Sequence, residues 1–294
     1  MVHPGNPPRR FALKIGYLSE GLFGYAQQPG KPTVESLLVS GIERQGLALA
    51  NHRLPIASRT DRGVHALGNV IALEGGRISG VGLVGMLNSI DDRVFCFGYA
   101  PVPPEFNLRK ARQRWYRYLL PLHGRDPEDL YSVLEEFVGH HDFTSFSRKD
   151  AVPRGTEREL TSVGLSLQGD LARIDLVAPS FLWGMVRKIV ASSLLVVDRK
   201  LTRRELREAL NGGRTLTLPL APPEGLVLMD VDYGFPFSPA SAGRKGRGVA
   251  LDRIREEVSL RSTLLGWFSE RVRVGSPSPS VVTGCSLSQE SPST

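Results

Sequence analysis

Hydrophobic residues follow two kinds of pattern over the first 235 residues. Short apolar runs predict β-strands, at residues 11–18, 69–74, 93–99, 114–121, 159–167, 171–178 and 226–233. Apolar residues at helical spacing predict α-helices, at residues 34–49, 80–90, 126–138, 180–197 and 202–211. Because strands and helices interleave, the pattern favours an α+β or mixed fold over an all-α bundle.

Local signals mark several boundaries of these elements. Thr33 is a plausible N-cap for the first helix, and Thr202 with Glu205 forms a capping box for the last. Residues 168–170 predict a hairpin turn, and residues 101–104 read as a linker. After Pro236 the composition changes: residues 250–273 predict an amphipathic helix, and residues 275–294 are rich in Ser, Pro and Thr, which predicts disorder.

Composition narrows the class of protein. The chain has 294 residues, of which 41% are hydrophobic and 23% charged, values typical of a soluble globular protein. No apolar run reaches the ~18 residues of a membrane span, and residues 1–10 do not resemble a signal peptide. The two cysteines are far apart, which argues against a disulfide scaffold and a Cys-based zinc site. We therefore expect a cytoplasmic protein without a metal.

Positive charge is concentrated in one segment. The net charge is +7, and residues 107–118 contain five cations, no acid and three aromatic residues near the end. Cations that pair with phosphates, beside rings that stack on bases, are what a nucleic-acid surface requires. The solvated face of an ordinary strand is the alternative interpretation.

The densest cluster of polar residues suited to chemistry is at residues 57–70. Asp61 lies between Arg59 and Arg62, and flanking cations favour the ionised carboxylate. Such a carboxylate is suited to act as a nucleophile or base, and Gly63 lets the backbone turn sharply. A salt-bridged Asp in a surface turn has the same local sequence.

This cluster resembles the catalytic motif of the TruA family of tRNA pseudouridine synthases, Gly-Arg-Thr-Asp-Ala-Gly-Val-His-Ala followed by Gly-Gln-Val. Ser58, Arg62 and Asn69 depart from that motif. The matching positions are Arg59, Thr60, Asp61, Gly63, Val64, His65, Ala66, Gly68 and Val70.

Further segments resemble the family in the same order and extend the resemblance over residues 11–235. They lie at residues 24–34, 106–109, 114–118, 141–146, 181–190 and 224–233. The family's Tyr-Asp-Gly is replaced around Ser19 and Glu20, and Ala26 replaces a Gln. The resemblance implies two ferredoxin-like halves with a mostly antiparallel sheet around a basic central cleft, in a homodimer. It divides the chain into halves at 1–105 and 106–235, with a tail at 236–294.

The resemblance implies that uridine is converted to pseudouridine in the anticodon arm of tRNA, at about positions 38–40, with no cofactor. Asp61 is then the catalytic aspartate, and it either attacks the anomeric carbon or helps to form a glycal. Tyr116 is expected to stack on the uracil, with Tyr118 as the second candidate for that role. Arg187 is expected to pair with Asp61, and Arg59 to help displace the target base.

The remaining candidates are cations and aromatic residues. Four cations are candidates for phosphate contacts: Arg109, Lys110, Arg112 and Arg114. We interpret His65 as a hydrogen-bonded core or turn residue, and Trp183 and Met185 as packing residues. A metal site at residues 140–142 is rejected because no third ligand is near in sequence. Two other functions stay open: a pseudouridine synthase with a different RNA target, and an inactive RNA-binding protein of the same fold.

Overall fold

The computed structural model describes residues 10–148 and 155–240, which form most of one compact unit at residues 1–243. The strands are β1 (Arg10–Tyr17), β2 (His65–Glu74), β3 (Val94–Val102), β4 (Gln113–Pro121), β5 (Gly139–Asp142), β6 (Glu157–Leu160), β7 (Ser162–Gln168), β8 (Leu171–Ala178), β9 (Leu226–Asp232) and β10 (Ser238–Pro239). The α-helices are α1 (Val34–Arg44), α2 (Gly80–Asn88), α3 (Pro127–Leu134), α4 (Met185–Val197) and α5 (Arg203–Leu210). Short 3-10 helices lie at Ala50–His52, Glu135–Phe137 and Pro223–Gly225.

One eight-stranded sheet organises the described residues, in the order β10-β3-β1-β2-β9-β4-β8-β7. Its neighbouring strands are antiparallel except β2 and β9, which are parallel. Strands β5 and β6 form a separate two-stranded sheet. The predicted α+β class with a mostly antiparallel sheet is therefore confirmed.

The two halves of the sheet follow related plans. In the second half, β4, α3, β7, β8, α4 and β9 come in this order along the chain, with β5, β6 and α5 inserted between them. Their strands lie in the order β9-β4-β8-β7, which is the βαββαβ arrangement of a ferredoxin-like unit. The first half has the order β3-β1-β2, and a single bridge from Ile56 to Ile71 occupies the place of a fourth strand beside β2. The domain boundary at residue 105 stays a prediction, since both halves share this sheet.

The halves join where β2 meets β9. In β2, only His65 and Ala66 pair with residues of β9. Beyond this pair, β2 and β9 stay in close contact. Gly68 permits this approach, because a Cβ there would lie 2.5 Å from the carbonyl oxygen of Met229. Lys14 of β1 is buried, forms an ion pair with Asp230 and donates a hydrogen bond of 2.7 Å to the carbonyl of Val231. These contacts cross the junction and place the loop before β2 next to the second half.

The capping residues of α1 and α5 and the main core positions agree with the sequence pattern. Thr33 caps α1, and the capping box of Thr202 and Glu205 is present at α5. Phe143, Phe146 and Met185 are fully buried, as their apolar character predicts. The core therefore sits between the sheet and the helices that the apolar spacing identifies.

Several element predictions were wrong in their bounds, including that of β2, which begins at His65, four residues before its predicted start. Helix α1 ends at Arg44 and does not reach Leu49, because Gly46 follows with φ +86°. Strand β3 continues to Val102, through residues assigned to a linker. The strand predicted at 159–167 is divided between β6 and β7, and the helix predicted from residue 180 begins at Met185. The predictions for residues 250–273 and 275–294 lie outside the described residues.

Candidate functional site

Asp61 lies in the loop that leads into β2, and a buried polar network holds that loop. Tyr17 of β1 shares a hydrogen bond of 2.9 Å with the hydroxyl of Thr60, and the side-chain amide of Asn69 donates to the hydroxyl of Tyr17 over 3.2 Å. The same amide donates to the carbonyl of Ser58 over 2.7 Å. Burial raises the pKa of Tyr17, so the phenol stays neutral and the network carries no charge.

Two glycines let neighbouring chains approach the Asp61 loop. Gly24 has φ +85°, and a Cβ there would lie 2.8 Å from the carbonyl oxygen of Thr60. That carbonyl accepts a hydrogen bond of 3.0 Å from the amide of Tyr25. Gly63 has φ +86°, and a Cβ there would lie 2.8 Å from the ring of Pro223. The Asp61 loop is therefore packed between the loop at residues 24–25 and the short 3-10 helix at Pro223–Gly225.

The carboxylate of Asp61 has one donor for each of its oxygens. Nη1 of Arg187 donates to Oδ2 over 3.4 Å, and Nε1 of Trp183 donates to Oδ1 over 2.7 Å. Arg187 lies in the first turn of α4, and its Nε donates to the carbonyl of Ala221 over 2.6 Å. The Asp61 side chain is 28% exposed and that of Arg187 is 13% exposed. The second half of the chain therefore orients a carboxylate of the first half and leaves it open to solvent.

Tyr116 of β4 contacts the loop that carries this carboxylate. Its hydroxyl shares a hydrogen bond of 2.8 Å with the hydroxyl of Ser58, and its ring meets Phe181 edge to face at 5.1 Å. Burial raises the pKa of Tyr116, and the nearby charge of Asp61 acts in the same direction, so the phenol is neutral. The residue is 6% exposed, which leaves little ring surface free for stacking.

Tyr118, the second candidate on the same strand, has a different partner. Its hydroxyl donates to the carbonyl of Pro222 over 2.9 Å. Burial raises its pKa to about 12. The hydroxyl is thus directed to the 222–225 segment, whereas that of Tyr116 is directed to the Asp61 loop.

The predicted phosphate contact of Arg114 is wrong. Arg114 was a candidate for a phosphate contact, but the structure buries it, with 6% of the residue exposed. Its guanidinium donates to the carbonyls of Pro179, Ala57 and Arg109, the latter two over 3.2 and 3.4 Å. Burial lowers its pKa. Arg114 therefore ties together three chain segments around the site, and no face of it is left for a phosphate.

Five exposed cations lie on the loops that Arg114 joins or beside Asp61. They are Arg59, Arg62, Arg109, Lys110 and Arg112. Arg62 lies 4.4 Å from the ring centre of Phe23, and Lys31 lies 5.1 Å from the same ring. The guanidinium of Arg114 donates to the carbonyls of both Ala57 and Arg109. The 107–112 segment therefore runs close to the start of the Asp61 loop. The rim of the site is positive on these loops.

Sequence reasoning missed three residues of this site. Trp183 was interpreted as packing, but it is 42% exposed and binds Asp61 directly. Ser58 and Asn69 were recorded only as departures from the family motif, and both belong to the network around Thr60 and Tyr116. The available signal was their position: polar residues on either side of the Asp61 loop, one of them in an apolar strand.

His65 is hydrogen-bonded, as predicted, and begins strand β2. Its Nδ1 accepts a hydrogen bond of 3.2 Å from the amide of Ser19. Burial lowers its pKa, which favours the neutral ring. His65 therefore fastens the 18–20 segment to the start of β2.

Comparisons with known proteins agree on a family. Residues 133–234 match the family model described as tRNA pseudouridine synthase; Asp61 lies outside this range. A protein of Methanothermobacter thermautotrophicus named tRNA pseudouridine synthase A is 38% identical over 231 residues, which are 77% of this chain and 82% of that protein. A protein of the same name from Pyrococcus abyssi is 34% identical, over 85% of this chain and 95% of that protein.

A comparison of structures gives a weaker likeness. A chain of a crystal structure of a Cbf5-Nop10-Gar1 complex matches with a TM-score of 0.34 and 15% sequence identity, over 63% of this chain and 44% of that chain. Within the described residues, none of the helices is both long and apolar enough to cross a membrane.

Proposed function

We propose, from the premise that this chain belongs to the tRNA pseudouridine synthase family, that Asp61 is its catalytic aspartate and the anticodon arm of tRNA its substrate. The chain is a tRNA pseudouridine synthase, an isomerase. The observation that carries the proposal is the carboxylate of Asp61, oriented by Arg187 and 28% exposed on a positive rim. A group held in place and open to solvent is what a reaction at a flipped nucleotide requires.

The reaction exchanges one glycosidic bond for another. The bond from N1 of uracil to C1′ of the ribose breaks, the base rotates, and a bond from C5 to C1′ forms. C5 loses a proton and N1 gains one, so no oxidant, reductant or cofactor enters the balance. Asp61 starts the sequence in either of two ways. It attacks C1′ and forms an ester bond that breaks when C5 bonds to C1′, or it removes the proton from C2′ to give a glycal and returns that proton when C5 bonds to C1′.

The neighbours of Asp61 have separate tasks in this proposal. Arg187 holds the carboxylate as a charge-assisted partner, and its anchor on Ala221 fixes the direction of that contact. The hydroxyl of Tyr116 is bound to Ser58 of the Asp61 loop, and in this proposal that hydrogen bond opens when the uracil enters, so that Tyr116 contacts the base and assists removal of the C5 proton. Arg59, one residue from Thr60 and exposed, helps to displace the base from the stack.

The exposed cations Arg59, Arg109, Lys110 and Arg112 bind the phosphates on either side of the target nucleotide. Phosphate contacts set the register of an RNA on a protein without reading its sequence. Residues 107–112 run beside the Asp61 loop, which suits this task. Arg114 supports the same loop from inside.

The location of the modification is tested by mapping pseudouridine in unmodified tRNA transcripts incubated with the purified chain and no cofactor. We expect pseudouridine at positions 38–40, and its loss from a transcript with cytidine at those positions. Pseudouridine at other uridines would support the proposed reaction and contradict the anticodon arm as its substrate. Salt-sensitive binding without any product would favour an inactive RNA-binding protein.

A different RNA target has one observation in its favour. The TruA-family motif has an alanine where this chain has Arg62, and Arg62 lies over the ring of Phe23 beside the site. The mapping therefore includes transcripts with uridines outside the anticodon arm. We also propose that the chain is cytoplasmic and forms a homodimer. Light scattering on the purified chain tests the homodimer through its mass.

A further inference from the structure

Trp183 makes a contact that the proposed roles of Asp61, Arg187 and Tyr116 do not explain. Its Nε1 donates to Oδ1 of Asp61 over 2.7 Å, which is shorter than the 3.4 Å from Arg187 to Oδ2. Trp183 lies in the loop before α4 and is 42% exposed. A tryptophan kept only for packing would be buried by apolar neighbours.

A second contact fixes the indole ring itself. The guanidinium of Arg148 lies 4.0 Å from the ring centre of Trp183. A cation over the face of an indole is attracted by the charge distribution of the ring. The ring is therefore clamped on one face while its N–H is directed to Asp61.

Two donors are needed to fix the plane of a carboxylate. The bond between Cβ and Cγ of an aspartate has a broad, roughly two-fold torsion, so one donor leaves the carboxylate plane free to rotate. Arg187 comes from α4 and Trp183 from the loop before it, and each holds a different oxygen. Together they fix the direction in which Asp61 presents its oxygens to the ribose.

We propose that Trp183 is a positioning residue, whose indole N–H fixes the carboxylate of Asp61 for the attack on the nucleotide. This inference rests on the proposed role of Asp61. It predicts that loss of the N–H slows the chemical step and leaves the binding of tRNA unchanged, because the ring remains.

The chain offers a matched control. Trp115 donates from Nε1 to Oδ1 of Asp175 over 2.7 Å, the same distance as in the pair of Trp183 and Asp61. Trp115 is next to Tyr116 on β4, and neighbouring side chains of a strand point to opposite faces of the sheet. Trp115→Phe therefore removes an equivalent hydrogen bond away from the candidate site.

The experiment measures the single-turnover rate constant and the Kd for tRNA of the full chain and of variants. For Trp183→Phe we expect a fall of about tenfold in the rate constant, with the Kd within about twofold of wild type. Trp183→His keeps a ring N–H donor and should lose less. Trp115→Phe should match the wild type.

Three results would overturn the inference. They are a rate constant for Trp183→Phe within about twofold of wild type, a higher Kd at an unchanged rate constant, and equal losses for the Phe and His variants. Asp61→Asn is measured in the same series. If that variant stays active, the proposed function itself fails, and the result is separate from the outcome for Trp183.

Discussion

The two halves of this chain support the candidate site in different ways. The first half carries Asp61 on an irregular loop, and neutral, buried hydrogen bonds from Tyr17 and Asn69 hold that loop. The second half carries Arg187 at the start of a helix and Tyr116 on a strand, and it contacts the carboxylate directly. One half therefore fixes the backbone of the loop, and the other orients the reacting group.

This difference separates stability from chemistry. A buried neutral network costs free energy when one member is removed, because its partners lose hydrogen bonds. A partly exposed ion pair contributes little to stability, yet it decides where a carboxylate points. Variants of the network of Tyr17, Thr60 and Asn69 should therefore change unfolding, and variants of Arg187 should change turnover.

The largest effect in this comparison is expected from Arg187→Met. The variant removes the donor to Oδ2 of Asp61, so we expect the single-turnover rate constant to fall about 100-fold. Arg125→Met is the matched control, because Arg125 pairs with Asp198 over 2.7 Å and should leave the rate unchanged. Equal rates for both variants would show that the pair with Asp61 has no part in catalysis.

The second-largest effect is expected in the salt dependence of tRNA binding by the positive rim. Four phosphate contacts on a single-stranded loop predict a slope of about −2.8 in a plot of log K against log salt, or about a 50-fold loss of affinity between 50 and 200 mM salt. Arg109→Gln and Lys110→Gln should each flatten the slope by about 0.7. Filter binding of tRNA measures the slope. Arg204, exposed and paired with Glu208 on α5, provides the control substitution, Arg204→Gln; an equal change in its slope would contradict the assignment of the rim.

The smallest effect is expected in the first half. Thr60→Val removes the hydroxyl that binds Tyr17, and the hydroxyl of Tyr17 keeps its bond from Asn69. We therefore expect the free energy of unfolding to fall by about 1 kcal/mol. Urea melts measure this change, with Thr217→Val as the control because Thr217 is exposed. A variant as stable as the control would show that the network does not hold the loop.

Most of the fold could be predicted from the periodicity of apolar residues, and the errors in the predicted element bounds have local causes. The capping residues Thr33 and Thr202 mark helix starts because their hydroxyls bind backbone amides of the first turn. The start of α4 was misplaced by five residues because residues 180–184 are as apolar as the helix that follows. Hydrophobicity alone does not reveal that Gly184 takes φ +77° there.

The site could be predicted only in part. Asp61 and its pairing with Arg187 followed from a family resemblance, since 126 positions separate the two residues. Trp183 was missed because its partner is 122 positions away and its own segment is apolar. Arg114 was misassigned although a signal was present: residues 114, 116, 118 and 120 share one face of β4, and that face is buried.

The central claim is that Asp61 performs the chemistry at a site completed by the second half of the chain. Single-turnover formation of pseudouridine by Asp61→Asn, with the Kd for tRNA measured on the same sample, tests it most directly. The account predicts a rate at least about 10³-fold below wild type, with a Kd within about threefold. A variant that binds tRNA and forms pseudouridine at more than about a tenth of the wild-type rate would contradict it.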